Sequence, residues 1–252
     1  MNRDDFQRGP VSEELRPTRG RYGAEGQVCL VPTDACSGLV GAGVAVDVMR
    51  AFTVAAWAFA RGAEQIILVR ELAEAVRLKS EIPGALAFKD GPPDPAFDLF
   101  NSPGHLLDLD VTGRVVVQRT TAGTRGALAA RHAQPLLCAS FVCASATVAA
   151  LRRYEPTTVT FVVTGDDGTA EEDIACAEFM AALLTDGDVD PGPYVERARR
   201  SPAAIGIADD VANGRHGVDA RDVEMCLDVD RFDFAMVAEP RGEHLLLRAT
   251  RP

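Results

Sequence analysis

Residues 44–69, Val-Ala-Val-Asp-Val-Met-Arg-Ala-Phe-Thr-Val-Ala-Ala-Trp-Ala-Phe-Ala-Arg-Gly-Ala-Glu-Gln-Ile-Ile-Leu-Val, constrain the fold more than any other stretch of the chain. An apolar run ends on a charged pair, Asp47 and Arg50; an Ala-rich helical pattern follows, Gly62 stops it, and Ile66–Val69 is a second apolar run. Strand, turn, helix and strand in that order predict a βαβ unit, which in a parallel sheet closes right-handed. The charges fall where the strand ends and the helix begins, the edge at which open α/β sheets bind ligands and a helix N-terminus favours an anion. An Asp and an Arg three positions apart on that turn suit a metal and a phosphate held side by side, and equally a local ion pair that ties the turn.

The rest of the chain repeats this grammar. Leu136–Phe141 is apolar, Ala146–Arg153 reads as a helix, and Thr158–Val163 reads as a strand. Phe52-Thr-Val-Ala-Ala56 aligns with Ala146-Thr-Val-Ala-Ala150 at the offset that also sets Ile66–Val69 on Thr160–Val163. The expected fold class is therefore α/β, a three-layer α/β/α arrangement with a mainly parallel sheet, and the register suggests two duplicated βαβ halves at about 40–133 and 134–240. Residues 27–252 read as a single α/β domain, preceded by a polar arm over 1–26 rich in Arg, Glu and Gly. Further along the first half lie an amphipathic helix over 70–80 with Leu72, Ala75, Val76 and Lys79 at helical spacing, and a Pro/Gly-dense loop from Gly91 to Pro95. A β run over Arg114–Arg119 then ends on Thr120-Thr121-Ala122-Gly123-Thr124 before a helix at Gly126–Ala133. Thr169 with Glu172 fits a capping box, and acids suit a first helical turn. Glu172 and Asp173 are equally suited as hard oxygen ligands for Mg²⁺.

Charge and composition exclude several classes. With 37 acidic and 26 basic residues the net charge is −11, which argues against a nucleic-acid surface. Any phosphorylated substrate must therefore meet a local basic site or a metal. No run approaches the ~20 apolar residues of a membrane span, and the first residues lack a basic-then-apolar signal layout, so the expectation is cytoplasmic, with no membrane partner. The six cysteines form no Cys-x-x-Cys pair and read as free thiols in a reducing compartment. The P-loop, Gly-x-Ser-x-Gly and Cys-x5-Arg patterns are absent, and two positions after Asp47 stands Met49, not the second acid of an Asp-x-Asp aspartyl-phosphate enzyme.

Taken in order, Asp47-Val-Met-Arg50-Ala-Phe-Thr53, Asn101-Ser102-Pro103, Thr120-Thr121-Ala-Gly123-Thr124, Ser140-Phe141-Val-Cys-Ala-Ser145, Glu172-Asp173-Ile-Ala-Cys-Ala177 and Asp222-Val-Glu-Met-Cys-Leu-Asp-Val-Asp230 resemble the 2-phosphosulfolactate phosphatases over about residues 28–240. The resemblance implies a Mg²⁺-dependent phosphatase acting on a small three-carbon acid that carries phosphate and sulfonate, in coenzyme M biosynthesis. It implies catalytic roles for Asp47 and Arg50, and metal ligation by Asp47, Glu172 and Asp173. Substrate binding would fall to Asn101, Ser102, Thr121, Gly123, Thr124 and Ser140. The chain departs from the family pattern at Ala122, where Asn is usual, at Lys89-Asp90, where Gly-Glu is usual, and at Glu178, where Gly is usual. Those departures keep open a different small phosphorylated acid, or an anion-binding homologue without catalysis. A homodimer is common among α/β enzymes of this size.

Overall fold

The computed structural model describes residues 20–22, 26–36 and 38–252. Ten strands form one sheet: β1 (Gly20–Tyr22), β2 (Gly26–Pro32), β3 (Ala42–Val46), β4 (Gln65–Leu68), β5 (Leu86–Lys89), β6 (Val115–Arg119), β7 (Leu136–Ala139), β8 (Thr158–Val163), β9 (Ala235–Arg241) and β10 (His244–Thr250). The helices are α1 (Ala51–Ala60), α2 (Leu72–Glu81), α3 (Pro103–Leu106), α4 (Gly123–Ala129), α5 (Ala144–Tyr154), α6 (Glu171–Asp186), α7 (Gly192–Arg199), α8 (Pro202–Ala212) and α9 (Asp222–Cys226). The strand order is β1-β2-β8-β3-β7-β9-β10-β4-β6-β5. Helices flank this sheet, α4 packing on β3 and β8 and α6 on β2, β3 and β8. The α/β expectation holds.

Sequence explains the centre of the sheet directly. Every residue of β3 and β7 is buried, as continuous apolar runs require where both faces of a parallel sheet are covered. All six cysteines are free thiols, and five are buried; burial pushes Cys36 and Cys143 up to about 11, so they pack as small apolar side chains. Of the polar arm expected over 1–26, residues 20–22 pair antiparallel with β2; residues 1–19 and 23–25 lie outside the described residues.

The first βαβ unit needs correction. Strand, helix and strand occur where expected, but β4 does not join β3. From β3 the sheet passes through β7, β9 and β10 before reaching β4, and the pairings β7–β9, β9–β10 and β10–β4 are all antiparallel. The sheet therefore consists of two parallel blocks, β2-β8-β3-β7 and β4-β6-β5, of opposite ladder sense, joined by the β9–β10 hairpin. Periodicity reports which residues form strands, not which strands pair, and the hairpin that intervenes comes from residues 235–250. The second unit does close in parallel fashion, with β3 lying between β7 and β8.

Three smaller expectations also change. The helix expected at Gly126–Ala133 starts earlier, at Gly123, so the Thr-Thr-Ala-Gly-Thr turn runs directly into α4. On α2 only Ala75 is buried, and Leu72 and Val76 are exposed. The Thr169–Glu172 capping box does not form: α6 begins after Ala170, and the Thr169 hydroxyl donates to the Asp166 carbonyl at 2.7 Å. Glu172 and Asp173 are thus freed from capping duty, and both are buried.

Candidate active site

Adjacent parallel strands end together, and the turns that leave them are the first part of the site. Val46 pairs with Ala139 and with Val163, so Asp47, Ser140 and Thr164 follow three neighbouring strand ends. The turn after β6 arrives from the other block. That turn leads into α4, which packs on β3 and β8. Gly123 accordingly lies against Asp47, where a Cβ would come 2.6 Å from Asp47 Oδ2. Only glycine allows that approach.

Asp47 is buried and wrapped in donors. Its Oδ1 accepts the Ala51 N–H at 2.8 Å, and the Gly123 N–H also donates to the carboxylate. Thr164 Oγ1 sits 3.0 Å from the Val46 carbonyl and 3.4 Å from Asp47 Oδ2, sharing one proton between them. Asp173 straps two turns together: Oδ1 accepts the Val48 N–H at 2.8 Å and Oδ2 the Gly165 N–H at 3.0 Å. Burial pushes the Asp47 carboxyl up to about 6, aided by the charge of Asp90 and opposed by the bonds from Ala51, Gly123 and Thr164. Burial, then the charges of Asp47 and Glu172, holds Asp173 well above the usual carboxylate range. Glu172 is raised by burial and by Asp47 and Asp166, against hydrogen bonds from its own N–H and from Ser201. Three buried acids thus resist ionising together. Among the described residues no group of three His, Cys, Asp or Glu side chains is disposed to hold a metal, in keeping with the backbone donors already spent on Asp47 and Asp173. The donor chemistry still suits Mg²⁺, which needs only one or two carboxylates beside water and substrate oxygens.

Arg50, at the start of α1, does not pair with Asp47. Its Nη1 donates to the Gly217 carbonyl at 2.9 Å and to Asp222 Oδ2. The local ion pair considered for this turn is therefore absent, and the partner lies far along the chain. Asp222 is fully buried; its Oδ1 accepts the Ser102 hydroxyl at 2.8 Å and the Gly104 N–H at 2.9 Å, and its Oδ2 also takes the Asp219 N–H at 3.0 Å.

The remaining residues expected to bind substrate divide by environment. Ser102 is fully buried, commits its proton to Asp222 and caps α3 by accepting the His105 N–H, so it is a structural link rather than an open donor. Thr124 is buried and locked to Thr120 through both hydroxyls and both backbone N–H groups. Thr121 is exposed and held by Asp90, which accepts its N–H at 2.5 Å and its hydroxyl at 3.2 Å. Asn101 and Ser140 differ. Both are buried, yet among the described residues Asn101 Oδ1 and Ser140 Oγ have no hydrogen-bond partner, and Asn101 adopts φ +53. Buried polar atoms are seldom left so. At the first departure, Lys89 is buried, donates to the Pro92 carbonyl at 2.5 Å and lies 5.7 Å from the ring centres of Phe97 and Phe100. Ala122 precedes α4 without a side-chain cap.

Asp222, Thr164, Gly217 and Asp90 belong to this site although the sequence does not single them out for it. Asp222 and Gly217 carry no local signal, since each meets Arg50 across more than 160 residues of chain. The signal for Thr164 is its place directly after a central strand.

A family model for 2-phosphosulpholactate phosphatase matches residues 29–240. A protein of Thermus thermophilus described as a probable 2-phosphosulfolactate phosphatase is 34% identical over 215 residues, covering 81% of this chain and 90% of its own. Similarly described proteins of Carboxydothermus hydrogenoformans and Bacillus subtilis are 31% and 29% identical, covering 82% and 79% of this chain and 90% and 88% of their own. Matched along nearly its whole described length, and with the quoted motifs gathered around Asp47 and Arg50, the chain belongs to the 2-phosphosulfolactate phosphatase family.

Proposed function

We propose that this protein is a Mg²⁺-dependent phosphatase that hydrolyses a small phosphorylated acid, foremost 2-phosphosulfolactate, to the hydroxy acid and phosphate. The observation that carries the reading is the meeting of a buried acid trio, Asp47, Glu172 and Asp173, with an arginine held at the adjoining turn. Over the reaction the bond from phosphorus to the leaving oxygen breaks, water supplies the oxygen that phosphorus gains, and the leaving oxygen takes up a proton. Arg50 binds the phosphate oxygens and offsets the charge that gathers on them. Asp47 and Glu172 would supply hard oxygen ligands for Mg²⁺, and Asp173 fixes the turns that carry them. The ion, when bound, neutralises charge on the transferring phosphoryl group. Ser140 offers its unpartnered hydroxyl to an acid oxygen of the substrate, and Asn101 Oδ1, an acceptor, is left for a donor such as water.

Lys89-Asp90 favours a second reading within the same chemistry. Asp90 fixes Thr121 and adds to the field on Asp47, so the altered pair reaches the turn that faces the substrate, and another small phosphorylated acid would keep the mechanism. The test is phosphate release from a panel of such acids, 2-phosphosulfolactate included, with and without Mg²⁺. Metal-dependent turnover that Arg50→Ala lowers by about 10²-fold or more is expected. Turnover of another acid alone would replace the substrate. A folded protein silent across the panel would sink the enzymatic reading in favour of an anion-binding homologue.

A further inference from the structure

We infer that Asp222 is the positioning residue for Arg50, dividing its guanidinium so that one nitrogen is anchored and the opposite edge is presented to the phosphate. The inference rests on the phosphatase reading and goes beyond it. Both hydrogen bonds of the Arg50 side chain fall on Nη1, which donates to the Gly217 carbonyl and to Asp222. Among the described residues Nε and Nη2 take no hydrogen bond, and the side chain keeps 14% of its surface exposed. A guanidinium anchored in this way offers its Nε–Nη2 edge as a planar fork of the kind that grips two phosphate oxygens at once.

The anchor is rigid for a reason visible in its other contacts. Asp222 has no exposed side-chain surface, and its two oxygens take four donors from three separate stretches of chain: Arg50 after β3, Ser102 and Gly104 at the start of α3, and Asp219 just before α9. A structural acid in this position needs only enough donors to offset its burial. Three of the four would serve that end, and all three lie outside the Arg50 turn. The fourth ties the carboxylate to the one side chain that the reaction requires to be still. Asn101-Ser102-Pro103 thereby acquires a second role, because its serine holds the residue that holds the arginine.

The experiment is a double-mutant cycle of Asp222→Asn and Arg50→Ala, read by the dissociation constant of inorganic phosphate, by kcat and KM on the most active acid of the panel, and by the unfolding midpoint. Asp222→Asn keeps Oδ1 for Ser102 and Gly104 but turns an N–H₂ toward Arg50, so phosphate affinity is expected to fall by tenfold or more. In the Arg50→Ala background the same change is expected to lower affinity no further. Equal losses in both backgrounds would mean that Asp222 merely stabilises the fold, and the proposal would be wrong. Should Asp222→Asn not fold, Arg50→Lys answers instead: lysine can still pair with Asp222 but has no second edge, so stability near wild type with phosphate affinity as low as Arg50→Ala is expected. Wild-type affinity in Arg50→Lys would overturn the division of the guanidinium. A wild-type protein that neither binds phosphate nor turns over would remove the phosphatase reading, and this inference with it; retained wild-type activity alongside an indifferent Asp222→Asn would remove the inference alone.

Discussion

At the scale of single residues, the site is a contest between burial and donors. Asp47 lies in surroundings that penalise its charge, and three hydrogen bonds hold its carboxyl at about 6 rather than higher. One of those bonds depends on a glycine. In Gly123→Ala the new methyl would meet Asp47 Oδ2 at 2.6 Å and the Ala51 Cβ at 2.8 Å, and neither is the tip of a flexible side chain. The variant is expected to lose about 1–3 kcal/mol of stability by overpacking, and about tenfold or more in kcat/KM through displacement of Asp47; urea unfolding and steady-state kinetics would check the two. Wild-type kinetics would mean that Asp47 has no need of its present position. How much of this is legible in the sequence depends on the distance between partners. Asp47, Arg50, Gly123 and Asp173 are readable because each sits at the end of a recognisable strand or the start of a helix. Ser102 as a structural link and Asp222 as a site residue are not, for one shared reason: the bond between them spans 120 residues, and neither periodicity nor capping rules reach so far.

Elements show the same division. Apolar runs locate β3, β7 and β8 to within a residue or two, because strands buried on both faces leave no other reading of four or five consecutive apolar side chains. The start of α4 lies three residues ahead of where the sequence puts it: Gly123 reads as part of a turn, whereas it is helical, and it and Gly126 are small because other groups approach them. Gly126 faces Thr164, whose Cγ2 would stand 2.3 Å from an added Cβ. Alanine at a helical glycine gains about 1 kcal/mol in propensity. Here the clash outweighs it, since Thr164 is fully buried and bonded to Val46 and Asp47. Gly126→Ala is therefore expected to lower stability by about 1–3 kcal/mol net, seen as a fall in the unfolding midpoint. A rise in that midpoint would show that α4 can move off the β8 turn freely.

For the whole molecule the acids decide the response to pH. Asp47, Glu172 and Asp173 all have folded-state pKa values above their ordinary ones, so between the two values the folded chain binds more protons than the unfolded one. Stability is then gained as pH falls through about 6 toward about 4 and lost as it rises through about 6. For Asp47 alone the shift corresponds to about 3 kcal/mol. The metal-free protein is expected to unfold about 5–10 °C higher at pH 5 than at pH 7.5, and Mg²⁺ is expected to narrow the gap by raising the value at pH 7.5. A midpoint that climbs with pH over this range would show that the trio ionises without penalty. The net charge of −11 acts in the same direction but would yield to simple salt, which separates the two contributions. No described helix is long and apolar enough to cross a membrane. The β9–β10 hairpin bears on how such a molecule is made. Residues 26–163 supply both parallel blocks, yet the strands that join them, at 235–250, come later in the chain than either block. Until residues 235–250 have followed, β7 and β4 each lack the antiparallel neighbour that covers their edge, so vectorial synthesis makes two half-sheets before it makes the strands that unite them.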